Sequence, residues 1–339
     1  MIDLRSDTLT RPNAEMLEAM MAAKVGDDVF SEDPTVNELQ ERAAKMFGME
    51  AALFCPSGTM TNQIAIRIST QPQHELICDI RSHIYNYEGG GIASNSMVSV
   101  SLVDGDRGRI TPDHVLENIR PDDIHAPITS LVCLENTVNR GGGSYYTNEQ
   151  FKAISKVCKS NNLKLHLDGA RIFNALVETG DTPFEIGQNF DTISICLSKG
   201  LGAPVGSLII SSEQNIKMAT RIRKVFGGAM RQAGYLAAAG IYALDYNIDR
   251  LKEDHQRARE LGNMLERHPN VDQVLPVDTN IVIFRLAGNL MAETFLEVLK
   301  EKGILAVPFG PQDIRFVTCL NYTDDMLNQT EAILKSIQI

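Results

Sequence analysis

Short apolar runs rich in β-branched residues recur along the first part of the chain, at residues 76–78, 97–103, 130–134, 164–167, 192–197 and 206–210. Short runs of this composition predict buried strands. Between most of them, residues 35–47, 59–69, 148–159 and 184–188 carry apolar side chains at helical spacing. Alternating strands and helices predict an α/β fold around a mostly parallel sheet, with functional groups at the strand carboxyl ends. After residue 247 the pattern becomes a long polar helix at 248–266, strands at 281–286 and 314–318, and helices at 291–302 and near the end. The expected organisation is an N-terminal arm over 1–15, a large domain over 16–246 and a smaller C-terminal α+β domain over 247–339.

Composition narrows the function classes. A chain of 339 residues, 43% hydrophobic, can bury one large core and a lesser one. With 32 Lys+Arg against 43 Asp+Glu its net charge is −11, which repels phosphate backbones and anionic lipid, so neither nucleic acid nor membrane is an expected partner. No apolar stretch has the length of a secretory core or a membrane span. The six cysteines form no CxxC pair, which suits reduced thiols in the cytoplasm and predicts neither a disulfide framework nor a metal site.

Four segments carry candidate chemistry. Leu165-His166-Leu167-Asp168-Gly169-Ala170-Arg171 ends an apolar strand in an acid, a glycine that permits a sharp turn, and an arginine. Ile195-Cys196-Leu197-Ser198-Lys199-Gly200-Leu201-Gly202 places a lysine between a strand and a glycine-rich turn. Alone, Asp168 suits a helix cap and Lys199 an ordinary strand-end charge. Together they match the needs of pyridoxal phosphate: an amine to form the imine, and a carboxylate to keep the ring nitrogen protonated so that the ring can accept electrons. Cys55-Pro56-Ser57-Gly58-Thr59 opens a helix, where free amides and hydroxyls form a phosphate cradle, although the same residues also serve as a simple cap. Asp79-Ile80-Arg81-Ser82-His83 offers a histidine that can stack on a flat ring or sit hydrogen-bonded in the core. A dinucleotide site is excluded, because no GxGxxG follows a strand.

With these residues in place, the chain resembles the low-specificity L-threonine aldolases of the aspartate-aminotransferase-like fold type I. The likeness runs nearly end to end, through Asp3-Leu4-Arg5-Ser6-Asp7-Thr8, Gly26-Asp27-Asp28-Val29, Leu134-Glu135-Asn136-Thr137, Asp168-Gly169-Ala170-Arg171, Ser198-Lys199-Gly200-Leu201-Gly202 and Gly227-Gly228-Ala229-Met230-Arg231-Gln232. The resemblance implies cleavage of threonine, allo-threonine and related β-hydroxy-α-amino acids to glycine and an aldehyde. It implies Lys199 as the Schiff-base lysine, Asp168 on the ring nitrogen, His83 on the ring face, and His83 and His125 near the substrate hydroxyl. It further implies Ser6, Arg171 and Arg315 on the substrate carboxylate, and Ser57, Gly58 and Thr59 on the phosphate. Lys224 and Arg231 would join the phosphate from a neighbouring subunit, in a homotetramer built as a dimer of dimers. A β-eliminating lyase and a phenylserine-type aldolase are the alternatives. The chain departs from the family pattern with Phe30 for tyrosine, Val138 for histidine and Cys319 for histidine.

Overall fold

The computed structural model describes residues 1–337. Its strands are β1 (Ile2–Asp3), β2 (Ala51–Cys55), β3 (His74–Asp79), β4 (Ser99–Val103), β5 (Ile128–Glu135), β6 (Lys164–Gly169), β7 (Thr192–Cys196), β8 (Ser207–Ser211), β9 (Val271–Val274), β10 (Ile281–Leu286), β11 (Ile304–Leu305), β12 (Val307–Pro308) and β13 (Asp313–Val317). Strands β2 to β8 form one seven-stranded sheet in the order β2-β8-β7-β6-β5-β3-β4. Within it β4, β3, β5, β6 and β7 are joined by parallel pairings, and β8 runs antiparallel to both of its neighbours.

The central strands β6 and β7 are buried along nearly their whole length because helices cover both faces, so even their alternating polar positions, His166, Thr192 and Ser194, lie inside. Helix Asn148–Ser160 turns Phe151, Ile154 and Cys158 into the main core, and is fastened at its start by a capping box between Thr147 and Gln150. Helix Gly58–Ser69 brings Ile64 and Ala65 against Leu53 and Ile209 on the other side.

A second sheet, ordered β12-β13-β10-β9 and wholly antiparallel, packs with helices Leu251–Glu266, Ala292–Glu301 and Asp324–Lys335 around Phe284, Phe295 and Phe316. The first residues join this unit rather than the large sheet. Strand β1 pairs in parallel with β11, and Ile2 and Leu4 lie in the small core. The arm then crosses to the large domain at Asp7, a fully buried residue.

Candidate active site

Strands β6 and β7 lie side by side, so Asp168, near the end of β6, and Lys199, just beyond β7, are delivered to one edge of the sheet. Glu135 ends β5 directly opposite Asp168. Helix Gly58–Ser69 begins over the same edge: Thr61 Oγ1 is 2.6 Å from Ser194 Oγ on β7. Its cap is Ser57, whose hydroxyl accepts from the Met60 amide at 3.2 Å. The amides of Gly58 and Thr59 have no intrahelical acceptor and present a positive helix end. A Cβ on Gly58 would meet Cys196 Sγ at 2.5 Å, so glycine is what allows the helix to start this close to the strand end.

Behind this edge lies a buried polar network. Asn62 donates both amide hydrogens, to Asp168 Oδ2 at 2.9 Å and Glu88 Oε1 at 2.9 Å. Its oxygen faces His166 Nε2 at 3.1 Å, and His166 Nδ1 lies 2.8 Å from the Thr192 hydroxyl. Burial pulls the His166 pKa down to about 4, outweighing the attraction of Asp168, so this ring is neutral and its Nε2 hydrogen fixes the orientation of Asn62. Both carboxylates then accept from an amide whose orientation is fixed. His83 Nδ1 stands 3.1 Å from Glu88 Oε1, and the ligand atoms of His83, Glu88 and Asp168 all lie within 4.8 Å of one another. Burial opposes a charge on His83, but Glu88, Asp168 and Glu135 together raise its pKa above the usual value.

Glu135 accepts the backbone amides of His83 at 2.8 Å and Asn139 at 2.9 Å. Burial first, and then the Asp168 charge, push its pKa up to about 7. Asn139 in turn accepts from Arg315 Nη1 at 2.7 Å, and Arg315 Nη2 donates to the Arg5 carbonyl at 3.0 Å, beside Ser6. Arg315 Nε is buried with no hydrogen-bond partner, and burial together with the charge of Arg171 lowers the Arg315 pKa to about 10. Arg171 spends Nε and Nη2 on Asp7, at 2.6 and 2.7 Å, so Nη1 is its nitrogen not bonded to that acid.

The chain thus gathers Lys199, Asp168, His83, Arg171, Arg315, Ser6 and the Ser57-Gly58-Thr59 turn around one strand edge. It does not bring His125 there: that side chain is 85% exposed and bonded to Asp123. Lys224 and Arg231 are also exposed, and Arg231 pairs with Asp27 at 2.9 Å. Of the departures, Phe30 is exposed, while Val138 and Cys319 are buried. Reasoning from sequence did not single out Asp7, Asn62, Glu88, Glu135, Asn139 or His166 for roles. The signal for Glu135 was an acid closing the apolar run of β5. Asn62 and Glu88 gave none, since they look like ordinary helix and loop polar residues until His166 and Asp168 are placed beside them.

A parallel sheet with a lysine and an acid at its strand ends, faced by an arginine of the small antiparallel domain whose Nε has no partner, has the build of a pyridoxal-phosphate-dependent lyase. The model of the beta-eliminating lyase family matches residues 3–289, and within it the chain belongs to the low-specificity L-threonine aldolases. It is 45% identical over 335 residues to the low specificity L-threonine aldolase of Escherichia coli K12, covering 98% of each chain. It is 41% identical over 308 residues to the Saccharomyces cerevisiae enzyme of the same name, covering 89% of this chain and 78% of that one. In fold it resembles the Leishmania major threonine aldolase, with a TM-score of 0.85 at 21% identity over 99% of both chains. It also resembles Sphingomonas wittichii serine palmitoyltransferase, with a TM-score of 0.75 at 17% identity over 99% of this chain and 86% of that one.

Proposed function

We propose that the chain cleaves L-threonine, L-allo-threonine and other β-hydroxy-α-amino acids to glycine and an aldehyde, using pyridoxal 5′-phosphate held on Lys199. The observation that carries this reading is the meeting of an amine and an acid, Lys199 and Asp168, at neighbouring strand ends beside an arginine, Arg315, whose buried Nε has no partner. The residues present suit the cofactor. Gly58 and Thr59 offer amides to a phosphate, Asp168 is held by Asn62 as an acceptor for a ring N–H, and His83 is positioned by Glu88 to lie against a ring. When bound, the cofactor supplies an electron sink for the electrons of the breaking Cα–Cβ bond.

The chain supplies orientation and proton transfer. Arg315, with Arg171 Nη1 and the Ser6 hydroxyl, fixes the substrate carboxylate, and this selects which bond at Cα is broken. His83 has its Nδ1 on Glu88, which leaves Nε2 to take the β-hydroxyl proton. His83 is better placed for this than the exposed His125. Replacement of Lys199 by alanine should abolish both the visible absorbance of the holoenzyme and acetaldehyde release from L-threonine; persistence of both would overturn the reading. Ammonia and a keto acid in place of glycine and acetaldehyde would favour the β-eliminating alternative.

We also propose a homo-oligomer, a tetramer of paired dimers, in which Lys224 and Arg231 reach the phosphate of a neighbouring copy. Their exposure in the single chain suits that arrangement. Mixing Lys199→Ala subunits with Lys224→Ala subunits should recover part of the activity, because one site of a mixed pair is then intact. The six cysteines are free and buried, and no helix of the described residues is long and apolar enough to cross a membrane. Both features suit the cytoplasm as the proposed location.

A further inference from the structure

Three guanidinium groups crowd the rim of the site, and one carboxylate answers them. Arg171 is neutralised by Asp7. Among the described residues neither Arg315 nor Arg140 makes an ion pair, although both stack on one ring, with their guanidinium carbons 5.3 and 4.8 Å from the Phe309 centroid. Their mutual repulsion contributes to the lowered Arg315 pKa.

Arg140 is linked through one aromatic ring to each end of the proposed substrate site. Its Nη1 donates to the Tyr87 hydroxyl, and the Tyr87 ring lies 5.6 Å from that of His83, on the hydroxyl side. Phe309 ties it to Arg315, on the carboxylate side. Arg140 and Phe309 also line a neighbouring cavity, whose other arginines are already paired, Arg81 with Asp104 and Arg285 with Asp313. Threonine carries one carboxylate for two unpaired guanidiniums, which leaves one of them without an anion.

We infer that Arg140 is the receptor for a second carboxylate, carried on the β-carbon, and that the chain cleaves 3-hydroxyaspartate to glycine and glyoxylate. This rests on the aldol-cleavage reading above. The reaction balances without any co-reactant: the Cα–Cβ bond breaks, the β-hydroxyl gives up its proton and becomes the aldehyde of glyoxylate, and Cα takes a proton to give glycine. The planar fork of Arg140, preset by Tyr87 and Phe309, suits a carboxylate and gains nothing from an alkyl group.

The test measures kcat/KM for L-threonine and for both L-diastereomers of 3-hydroxyaspartate, in the wild-type holoenzyme and in Arg140→Met. The expected result is glyoxylate release by the wild type, with the ratio of 3-hydroxyaspartate to threonine efficiency falling roughly ten- to hundredfold in the variant, the range for one hydrogen bond to a charged group. Arg140→Lys should fall between the two. An unchanged ratio would overturn the inference, because Arg140 would then serve the α-carboxylate of both substrates or neither. Threonine cleavage with no cleavage of either diastereomer would overturn it as well, leaving the aldolase reading intact. Cleavage of neither amino acid would overturn that reading and this inference with it.

Discussion

Arg171 holds Asp7 through two parallel hydrogen bonds, of 2.6 and 2.7 Å, between residues 164 positions apart, in a pair that is almost wholly buried. Asp7 also accepts from Asn280 Nδ2 at 3.2 Å, so one carboxylate joins the N-terminal arm, the large sheet and the small domain. The relationship makes Asp7 both a structural tie and the group that aims Arg171.

Replacing Asp7 by asparagine should therefore cost roughly 3–5 kcal/mol of stability, because it leaves a buried guanidinium without its counter-charge. Burial alone would raise the Asp7 pKa, but Arg171 dominates and brings it to about 2 from 3.8. A lowered carboxylate pKa stabilises the folded chain above the unfolded value and loses that contribution as pH falls through the folded value. The wild type should lose roughly 2 kcal/mol between about pH 4 and pH 2 that Asp7→Asn does not lose, measured by urea melts across that window. Parallel pH dependence of the two proteins would refute the assignment.

Glu135 holds the His83 turn and the Asn139–Arg315 contact through two backbone amides. Glutamine has one acceptor oxygen, so Glu135→Gln must leave one of these amides facing an NH2 group, at a cost of about 1–3 kcal/mol. Threonine kcat/KM should fall roughly ten- to hundredfold. Its pKa, near 7, lies above the ordinary 4.5, so its stability contribution is present below the unfolded value and is lost as pH rises through 7. Catalysis has the opposite dependence, because the ionised form accepts both amides. The wild-type rate should gain an acid limb near pH 7 that the variant lacks, and a limb that survives the substitution belongs to another group.

Glu88 is the leading attraction that raises the His83 pKa against burial. In Glu88→Gln burial should win and the His83 pKa should drop. NMR titration of the histidine ring measures this directly. The charged His83 contact contributes to stability below the unfolded value and is lost as pH rises through the raised folded value. A His83 titration that does not move would show that Glu88 only packs against the ring.

The parallel sheet was legible because its strands are short, largely apolar segments rich in β-branched residues, and Asp168 and Lys199 because each closes such a segment. Sequence placed the strand of residues 97–103 two positions early: Met97 adopts a left-handed conformation that ends the preceding helix, and β4 starts at Ser99. The supporting acids were harder to see. Asp7 and Glu135 draw their meaning from Arg171 and from two loop amides, contacts fixed by the packing of distant strands rather than by local spacing. Glu88 and Asn62 depend on the orientation of His166, which no periodicity encodes.

Gly58 permits a test of the proposed phosphate cradle by geometry alone. A methyl group there would lie 2.5 Å from Cys196 Sγ and 3.6 Å from Ser207 Oγ, so the start of the helix must shift away from β7. Overpacking of this kind costs about 1–3 kcal/mol. Gly58→Ala should weaken cofactor binding, read as a higher cofactor concentration for half-maximal absorbance, with little change in the substrate KM once the site is saturated. Removing the Cys196 sulfur makes room for the added methyl, so the double variant Gly58→Ala/Cys196→Ala should regain much of the lost affinity. If the double variant binds cofactor no better than the single one, the close approach of helix and strand is not what sets the cradle.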